Sequence, residues 1–508
     1  MKLFNVNYYL FKKNIKKDFS ASIVVFLVAL PLCLGIALAS GAPLYSGIIS
    51  GIIGGIVVGS ISNSALGVSG PAAGLAVIVL HAISDLGSFE IFLVSIIIAG
   101  LLQLIMGLLK AGIIAYYFPS SVIKGMLAGI GILIFYKQIP NAIGITSLNE
   151  ISNGIHLNVT IITLISLGIL LFWQTRFIQK IGFLAAIPGA LLAVIVGILL
   201  QLFSLPIEND FLVKIPIATS PAEFFNNFTF PDFGTGLTNP KVYTTAIVIA
   251  VVASLETLLC VEASDKQDPK KRTTSTNKEL IAQGIGNMCA GIVGGLPVTQ
   301  VIVRSSANQQ AGGQSKASTI FHGILLFISI LLIPTLLNKI PLATLAAILL
   351  IIGYKLASPS NFKKMYNQGW DQFLPFIVTI VGIVTTDLLI GIGLGITVAI
   401  CVVLRNNYKI PYFLEKDTDG LIHTYFIELS EDVTFLNKAS ILKMLDKIPA
   451  KSKVEINATK TQFIHNDVIE IIQDFVIKAS NKEIQLTVID LDLHKQGKPL
   501  PHYKIIKT

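Results

Sequence analysis

The stretch from Leu296 to Gly313, LPVTQVIVRSSANQQAGG, breaks an otherwise apolar run, and its reading decides the fold. Pro297 lacks a backbone N–H and stops a helix. Val298 to Val303 is β-branched and extended in character, and Arg304 then opens a new segment, RSSANQQ. A second interruption has the same form. In LGVSGPAAGLAVIVL, from Leu66, a short extended piece (Leu66 to Ser69) leads into Ser69-Gly70-Pro71, where Ser69 suits a helix cap and Pro71 a first turn. GIIGG at Gly51 to Gly55 precedes the first break, and GIVGG at Gly291 to Gly295 precedes the second. Gly-rich pentapeptides are common in membrane helices, so the matched breaks carry more of the case for a duplication than the pentapeptides do. Interrupted segments at matching places in two halves point to a binding site near the membrane midplane. A helix that begins inside the bilayer leaves its first N–H groups unpaired and aims its positive end at the gap. An anion answers both.

Working outward, the chain of 508 residues is 53% hydrophobic and only 13% charged, with mean hydropathy +0.74. Soluble domains carry about 25% charged residues, so most of this chain does not face water. A crossing needs roughly 20 apolar residues. Fourteen apolar segments can be read, starting near Phe19, Leu44, Pro71, Phe89, Val122, Val159 and Phe183, then near Val242, Lys278, Arg304, Thr319, Pro341, Phe373 and Leu389. In the second, Gly47, Gly51, Gly55 and Gly59 line one helix face, which is a close-packing signal rather than a site. The fold class is therefore an all-α polytopic membrane protein with a smaller α/β piece after Arg405.

The formal net charge is +9. Its Lys and Arg residues lie between apolar segments rather than along one element, which argues against nucleic acid and for membrane orientation. With the Lys-rich N-terminus inside, the cytoplasmic loops hold Lys110, then Arg176 and Lys180, then Lys266, Lys270, Lys271 and Arg272, then Lys363 and Lys364. The loop from Ser204 to Pro240 falls outside and carries Glu208, Asp210, Glu223 and Asp232 against Lys214. Both termini are expected in the cytoplasm and the first span uncleaved, in a cell (inner) membrane. Cys33, Cys260, Cys289 and Cys401 form no CxxC or Cys/His cluster, so neither disulfides nor a zinc site are indicated, and they read as small buried apolar residues. No GxSxG, HExxH or Walker loop is present, so neither an enzyme nor an ATP-driven pump is read and no cofactor is implied.

Arg304 is the one Arg at predicted membrane depth. Charge there is costly and faces a cavity or a partner. It is either a fixed positive charge for a substrate anion, or a structural partner of Glu256, or a side chain reaching the headgroups. Glu256 sits in the eighth segment among Ala253, Cys260 and Ala263 at helical spacing, where it can bind a coupling Na⁺ or H⁺ or balance Arg304. Glu262 and Asp265 read as solvated. His81 and His322 can shuttle protons, but each reads first as a satisfied interfacial residue.

From about Leu421 the chain alternates strand-like and helix-like stretches. LIHTYFIEL, KVEINA and EIQLTVIDL suit strands; FLNKASILKMLDKI suits a helix, and Val468, Ile471, Ile472, Phe475 and Val476 recur at helical period. The organisation read is a cytoplasmic segment 1–18, a first transmembrane repeat 19–203, an extracytoplasmic loop 204–240, a second repeat 241–406, and an α/β domain 420–508.

These residues resemble a known family. ALPLCLGIALASG from Ala29, GPAAGLAVIV from Gly70, SLETLLCVEASD from Ser254, NKELIAQGIGNMCAGIVGGLP from Asn277, VRSSANQQAGG from Val303 and DLLIGIGLG from Asp387 are similar to the SulP sulfate permeases, a family that includes animal solute-carrier anion exchangers. The resemblance implies two inverted seven-span repeats forming core and gate domains, a cytoplasmic STAS domain and a homodimer. It implies a substrate region near Leu32, Ile36, Pro71, Ala72 and Arg304, with Glu256 in the place of the acidic coupling residue. This chain departs from sodium-coupled members at Cys260 and Ile302, where those carry hydroxyls, so H⁺ rather than Na⁺ is the coupling ion expected. Leu32 stands where many animal members carry a polar residue. NATKTQFIHND replaces a DSSG-like loop, so phosphorylation control is not expected there. The function implied is secondary transport of a small inorganic anion, sulfate or bicarbonate. The alternatives are a nucleobase-type transporter, disfavoured by Arg304 and the C-terminal domain, and an anion channel or membrane sensor signalling through that domain.

Overall fold

The computed structural model describes residues 8–113, 118–145, 155–175, 178, 187–217, 223, 227–386, 388–409, 412–417, 423–491 and 503–506. It falls into two units, Met1–Ile396 and Thr397–Thr508. The predicted start near Phe183, the loop charges Arg176 and Lys180, and Asp387 lie outside the described residues.

Helices occur at all fourteen expected places. The first seven are α1 (Tyr8–Ala39), α2 (Leu44–Ile61), α3 (Ala73–Leu86), α4 (Phe89–Leu108), α5 (Ser120–Ile143), α6 (Leu157–Trp173) and α7 (Gly189–Phe203). The second seven are α8 (Pro240–Gln267), α9 (Thr276–Ile292), α10 (Ile302–Gln310), α11 (Ala317–Leu332), α12 (Leu342–Leu356), α13 (Trp370–Thr385) and α14 (Leu388–Lys409). α1 starts at Tyr8 rather than Phe19, because nothing in the Lys-rich stretch before Asp18 breaks a helix. Two segments are not full crossings. α3 has 14 residues and α10 only 9, or about 21 Å and about 14 Å of helix.

Glycines set the packing. A Cβ on Gly100 of α4 would lie 2.6 Å from the Gly284 carbonyl of α9, and Gly107 and Gly291 continue the same seam. Gly55 of α2 meets Gly323 of α11 at 2.6 Å in the same sense, and Gly131 of α5 meets Gly353 of α12 at 2.7 Å. In lipid, where apolar side chains gain nothing by leaving water, such backbone approaches supply dispersion contact. The predicted face Gly47, Gly51, Gly55 and Gly59 packs on Cys33, Leu326, Gly323 and Thr319.

Contacts between helices repeat with the halves exchanged. α1 packs on α11 as α8 packs on α4; α2 on α11 as α9 on α4; α1 on α10 as α8 on α3; α5 on α13 as α12 on α6. The duplication read from the two interruptions is thus present in the packing. The helices sort into one set, α1–α4 with α8–α11, and a second set, α5–α7 with α12 and α13; α14 joins the second set where Gly391 meets Gly382 and Ile383 of α13.

The second unit holds a five-stranded sheet. β3 (Tyr412–Asp417) pairs antiparallel with β4 (Thr424–Leu429); β5 (Lys453–Asn457), β6 (Gln485–Ile489) and β7 (Tyr503–Ile506) follow in parallel. α15 (Lys438–Asp446) and α16 (Asn466–Asn481) supply apolar faces. Val468, Ile472, Phe475 and Val476 are buried with Ile427, Val454, Ile456 and Val488. This α/β order fits a STAS-like domain. β3 lies upstream of residue 420, where the sequence reading began the domain, and β7 was not read at all. Leu421 and Ile422 lie outside the described residues.

Candidate functional site

Between the two halves lies a two-stranded ribbon. Short strands β1 (Ser69–Pro71) and β2 (Val298–Gln300) pair antiparallel, with Ser69 opposite Gln300 and Pro71 opposite Val298. The Val301 N–H adds a bond to the Val68 carbonyl at 2.9 Å. Extended backbone at membrane depth must be satisfied by protein, and side chains do so here. The Val68 N–H donates to Ser305 Oγ at 3.0 Å, and the Gln300 N–H to Thr257 Oγ1 at 3.3 Å. Thr319 Oγ1 donates to the Gly67 carbonyl at 3.1 Å, and Asn308 Nδ2 to the Leu66 carbonyl at 3.0 Å.

Ser69 does not cap a helix. It and Pro71 belong to the ribbon, and Ser69 Oγ instead accepts from Gln283 Nε2 at 2.8 Å. α3 starts two residues later at Ala73, with Ala72 as its cap residue and no side-chain cap bond. α10 likewise starts after Val301 without one. Because the strands run antiparallel and each feeds a helix, the two positive helix ends converge on the ribbon from opposite directions. α8 faces both. The Gly74 N–H of α3 is the backbone donor to the Glu256 carboxylate, and the Ile302 N–H of α10 is the backbone donor to Cys260 Sγ. Glu256 and Cys260 are one helical turn apart, so a single face of α8 answers both starts.

Arg304, in the first turn of α10, is fully buried. Its Nη2 lies 3.4 Å from Cys33 Sγ and 3.5 Å from the Pro71 carbonyl oxygen. Its Nε and Nη1 have no acceptor in the protein. The guanidinium occupies the space a side chain at Gly70 would fill. It neither reaches the headgroups nor forms an ion pair with Glu256. Glu256 is partly buried and its Oε2 has no donor.

Of the other residues read from the sequence, Leu32, Ile36, Pro71 and Ala72 are all buried. The α1 side chain that meets the guanidinium is Cys33, which the sequence offered only as a small apolar residue. Cys401 is exposed, not buried. Glu262 is exposed and pairs with Lys266, whereas Asp265 is partly buried and accepts from the Thr274 N–H at 2.6 Å. His81 is exposed. His322 is not interfacial: it lies within α11, fully buried, and neither ring nitrogen has a partner. Sequence reasoning also missed a buried polar stripe on α9. Glu279 accepts from Ser62 Oγ at 2.5 Å and from Gln283 Nε2 at 2.9 Å, and Asn287 donates to Gln103 Oε1 at 2.7 Å. The four-residue spacing of Glu279, Gln283 and Asn287 was the signal available.

Comparison with known proteins bears directly on this arrangement. The Bacillus subtilis (strain 168) protein YvdB is 28% identical over 440 residues, covering 82% of this chain and 80% of its own length. The bicarbonate transporter BicA of Picosynechococcus sp. is 26% identical over 410 residues, covering 76% and 70%. In fold, the chain resembles the solved transmembrane domain of a cyanobacterium bicarbonate transporter BicA, at TM-score 0.63 and 23% identity over 74% of this chain and 97% of that one. It also resembles the overall structure of SLC26A9, at TM-score 0.76 and 14% identity over 95% and 85%. The profile of the Sulfate permease family matches residues 15–379. That match takes in most of α1, both interruptions and most of α13; the multi-pass membrane chain built around this ribbon belongs to the sulfate permease family.

Proposed function

We propose that this chain carries out secondary active transport of a small inorganic anion, sulfate or bicarbonate, by alternating access. The observation that carries the reading is the Arg304 guanidinium, fully buried at the start of a half-helix with two nitrogens that no protein group accepts from. A buried cation without a partner is costly, and an anion at the ribbon would balance it while meeting the two helix ends. A relative named for bicarbonate transport supports the substrate class.

In this reading Pro71, Ala72, Arg304, Leu32 and Ile36 border the anion, and Glu256 serves the coupling ion. H⁺ fits better than Na⁺, because Cys260 and Ile302 offer sulfur and hydrocarbon where a hard cation needs oxygen. The set holding the ribbon acts as a core and the other as a gate. Residues 1–18 and the C-terminal domain lie in the cytoplasm, 204–240 outside, in a homodimer of the cell membrane.

Uptake of radiolabelled sulfate and bicarbonate into proteoliposomes tests this. Saturable uptake by the native chain that is lost in Arg304→Ala is the expected result. Uptake equal in the two proteins, or flux that never saturates, overturns it.

A further inference from the structure

His322 is a fully buried titratable group that the anion site does not use, and unlike Glu279 it has no bonding partner. Thr319, His322 and Leu326 lie three and four residues apart, on one face of α11. Thr319 bonds the Gly67 carbonyl just before β1, and Leu326 packs on Gly51 beside Cys33 Sγ. His322 lies between these two contacts, one helical turn from Leu326, and Cys33 in turn meets Arg304 Nη2 at 3.4 Å. Both ring nitrogens are buried and neither makes a hydrogen bond to protein. A neutral imidazole still carries one donor and one acceptor, and an imidazolium two donors. A core histidine kept only for packing would be expected to bond at least one of them.

The charged and titratable groups around α11 are few. Among the described side chains of α1 they are Lys16 and Lys17, both exposed, Asp18 and Cys33. Asp18 is engaged by the Gln314 and Ser315 N–H groups and by Ser315 Oγ. On α2 there is Tyr45, and at the cap before α11 there is Lys316, towards Glu279. The Pro334–Leu337 turn that follows α11 has none. Arg304 is therefore the charge whose state His322 can sense.

We propose that His322 is a proton site coupled to the anion site. An inorganic oxyanion on Arg304 and a proton on the His322 imidazole stabilise one another, so the two bind, cross and leave together. With no anion present, the guanidinium opposes a second buried positive charge. With an anion present, the imidazole takes a proton from water on the entry side and returns it on the exit side. Linkage requires the reverse effect as well: a lower pH tightens anion binding. The inference rests on the anion-transport reading above.

The experiment uses the full chain in proteoliposomes, with radiolabelled sulfate. In the native protein, an inward proton gradient should speed uptake, and a protonophore should remove the gain. His322→Gln, neutral and still hydrogen-bonding, should lose that stimulation while retaining sulfate–sulfate exchange, which needs no net proton movement. Stimulation in His322→Gln equal to that of the native chain overturns the proposal, as does native uptake that ignores the gradient. If His322→Gln is inactive in both assays, the native protein in detergent decides. About one proton taken up per bound sulfate, read by an indicator dye and kept in Glu256→Gln, supports the His322 site; no uptake, or uptake lost with Glu256, overturns it. A native chain that moves neither sulfate nor bicarbonate under any gradient sinks the transport reading itself, a separate outcome.

Discussion

The side-chain amide of Asn287 bonds both backbone groups of Val298: its oxygen accepts the N–H at 2.6 Å, and its nitrogen donates to the carbonyl at 3.1 Å. Val298 opens β2, so this amide stands where a third strand would otherwise be. With the Gln283 bond to Ser69, it is how α9 holds a two-stranded ribbon in place inside lipid.

Asn287→Leu is close in size and removes both bonds. Each buried backbone group left unpaired costs about 1–3 kcal/mol. The variant should unfold at lower temperature in detergent and lose uptake. Asn287→Asp, which sets a carboxylate against the Val298 carbonyl, should be worse. Melting of Asn287→Leu at the native temperature would show the bonds to be idle.

Gly70→Ala puts a Cβ into the Arg304 guanidinium. The planar head must move off the ribbon, so initial uptake rates should fall towards those of Arg304→Ala. Since both changes act through one group, the double variant should be no slower than Arg304→Ala alone. Additive losses in the rate assay would separate the two residues.

Cys260 and Ile302 bear on ion use. Cys260 Sγ faces the start of α10, and Ile302 contributes no side-chain oxygen. Uptake measured at fixed pH should be unchanged when choline replaces Na⁺. A steep Na⁺ dependence would mean that a cation is held by oxygens other than these two side chains.

Outside the spans, Asp268 and Arg272 give a pH dependence with a definite sign. Burial alone would push the Asp268 carboxyl up, but bonds from Arg272 Nε at 2.6 Å and Nη2 at 3.1 Å, with those from the Lys270 and Arg272 N–H groups, hold it below the usual carboxylate range. A depressed folded value means the pair stabilises fully above the ordinary Asp range, near pH 4, and that this contribution is lost as pH falls through the lower folded value. Thermal stability should therefore lose a difference of about 1–3 kcal/mol between native and Asp268→Asn only under acid conditions. The difference should be constant from about pH 5 to about pH 8. Arg272 Nη1 also bonds the Gln314 carbonyl at 3.0 Å, so the variant should loosen the loop between α10 and α11 as well.

Much of this was legible in the sequence, for physical reasons. Apolar runs mark helices in lipid, so fourteen were found. Pro297, the β-branched run after it and Arg304 marked the second break, and the ribbon, α10 and a buried cation are there. Ser69 misled, because a Ser-Gly-Pro triplet suits a helix start locally, and only the strand arriving from Val298, more than two hundred residues away, claims it for a ribbon. Cys33 could not be read as the contact of Arg304, since its role depends on how closely the glycines of α2 bring α1 to the ribbon. His322 was misplaced for a related reason. Its burial comes from α2 and α1 packing over α11, not from any neighbour in sequence.

Close backbone approaches between helices run within one set or the other, as at Gly100 with Gly284, Gly55 with Gly323, and Gly131 with Gly353. Across the seam, Gly35 of α1 meets only the side chain of Leu349 on α12, at an ordinary 3.4 Å. Carbonyls locked together cannot ride past one another without a clash, but hydrocarbon resting on hydrocarbon can. The molecule is thus stiff where the ribbon must keep its shape and slippery along one plane, which favours sliding of whole blocks over bending of individual helices.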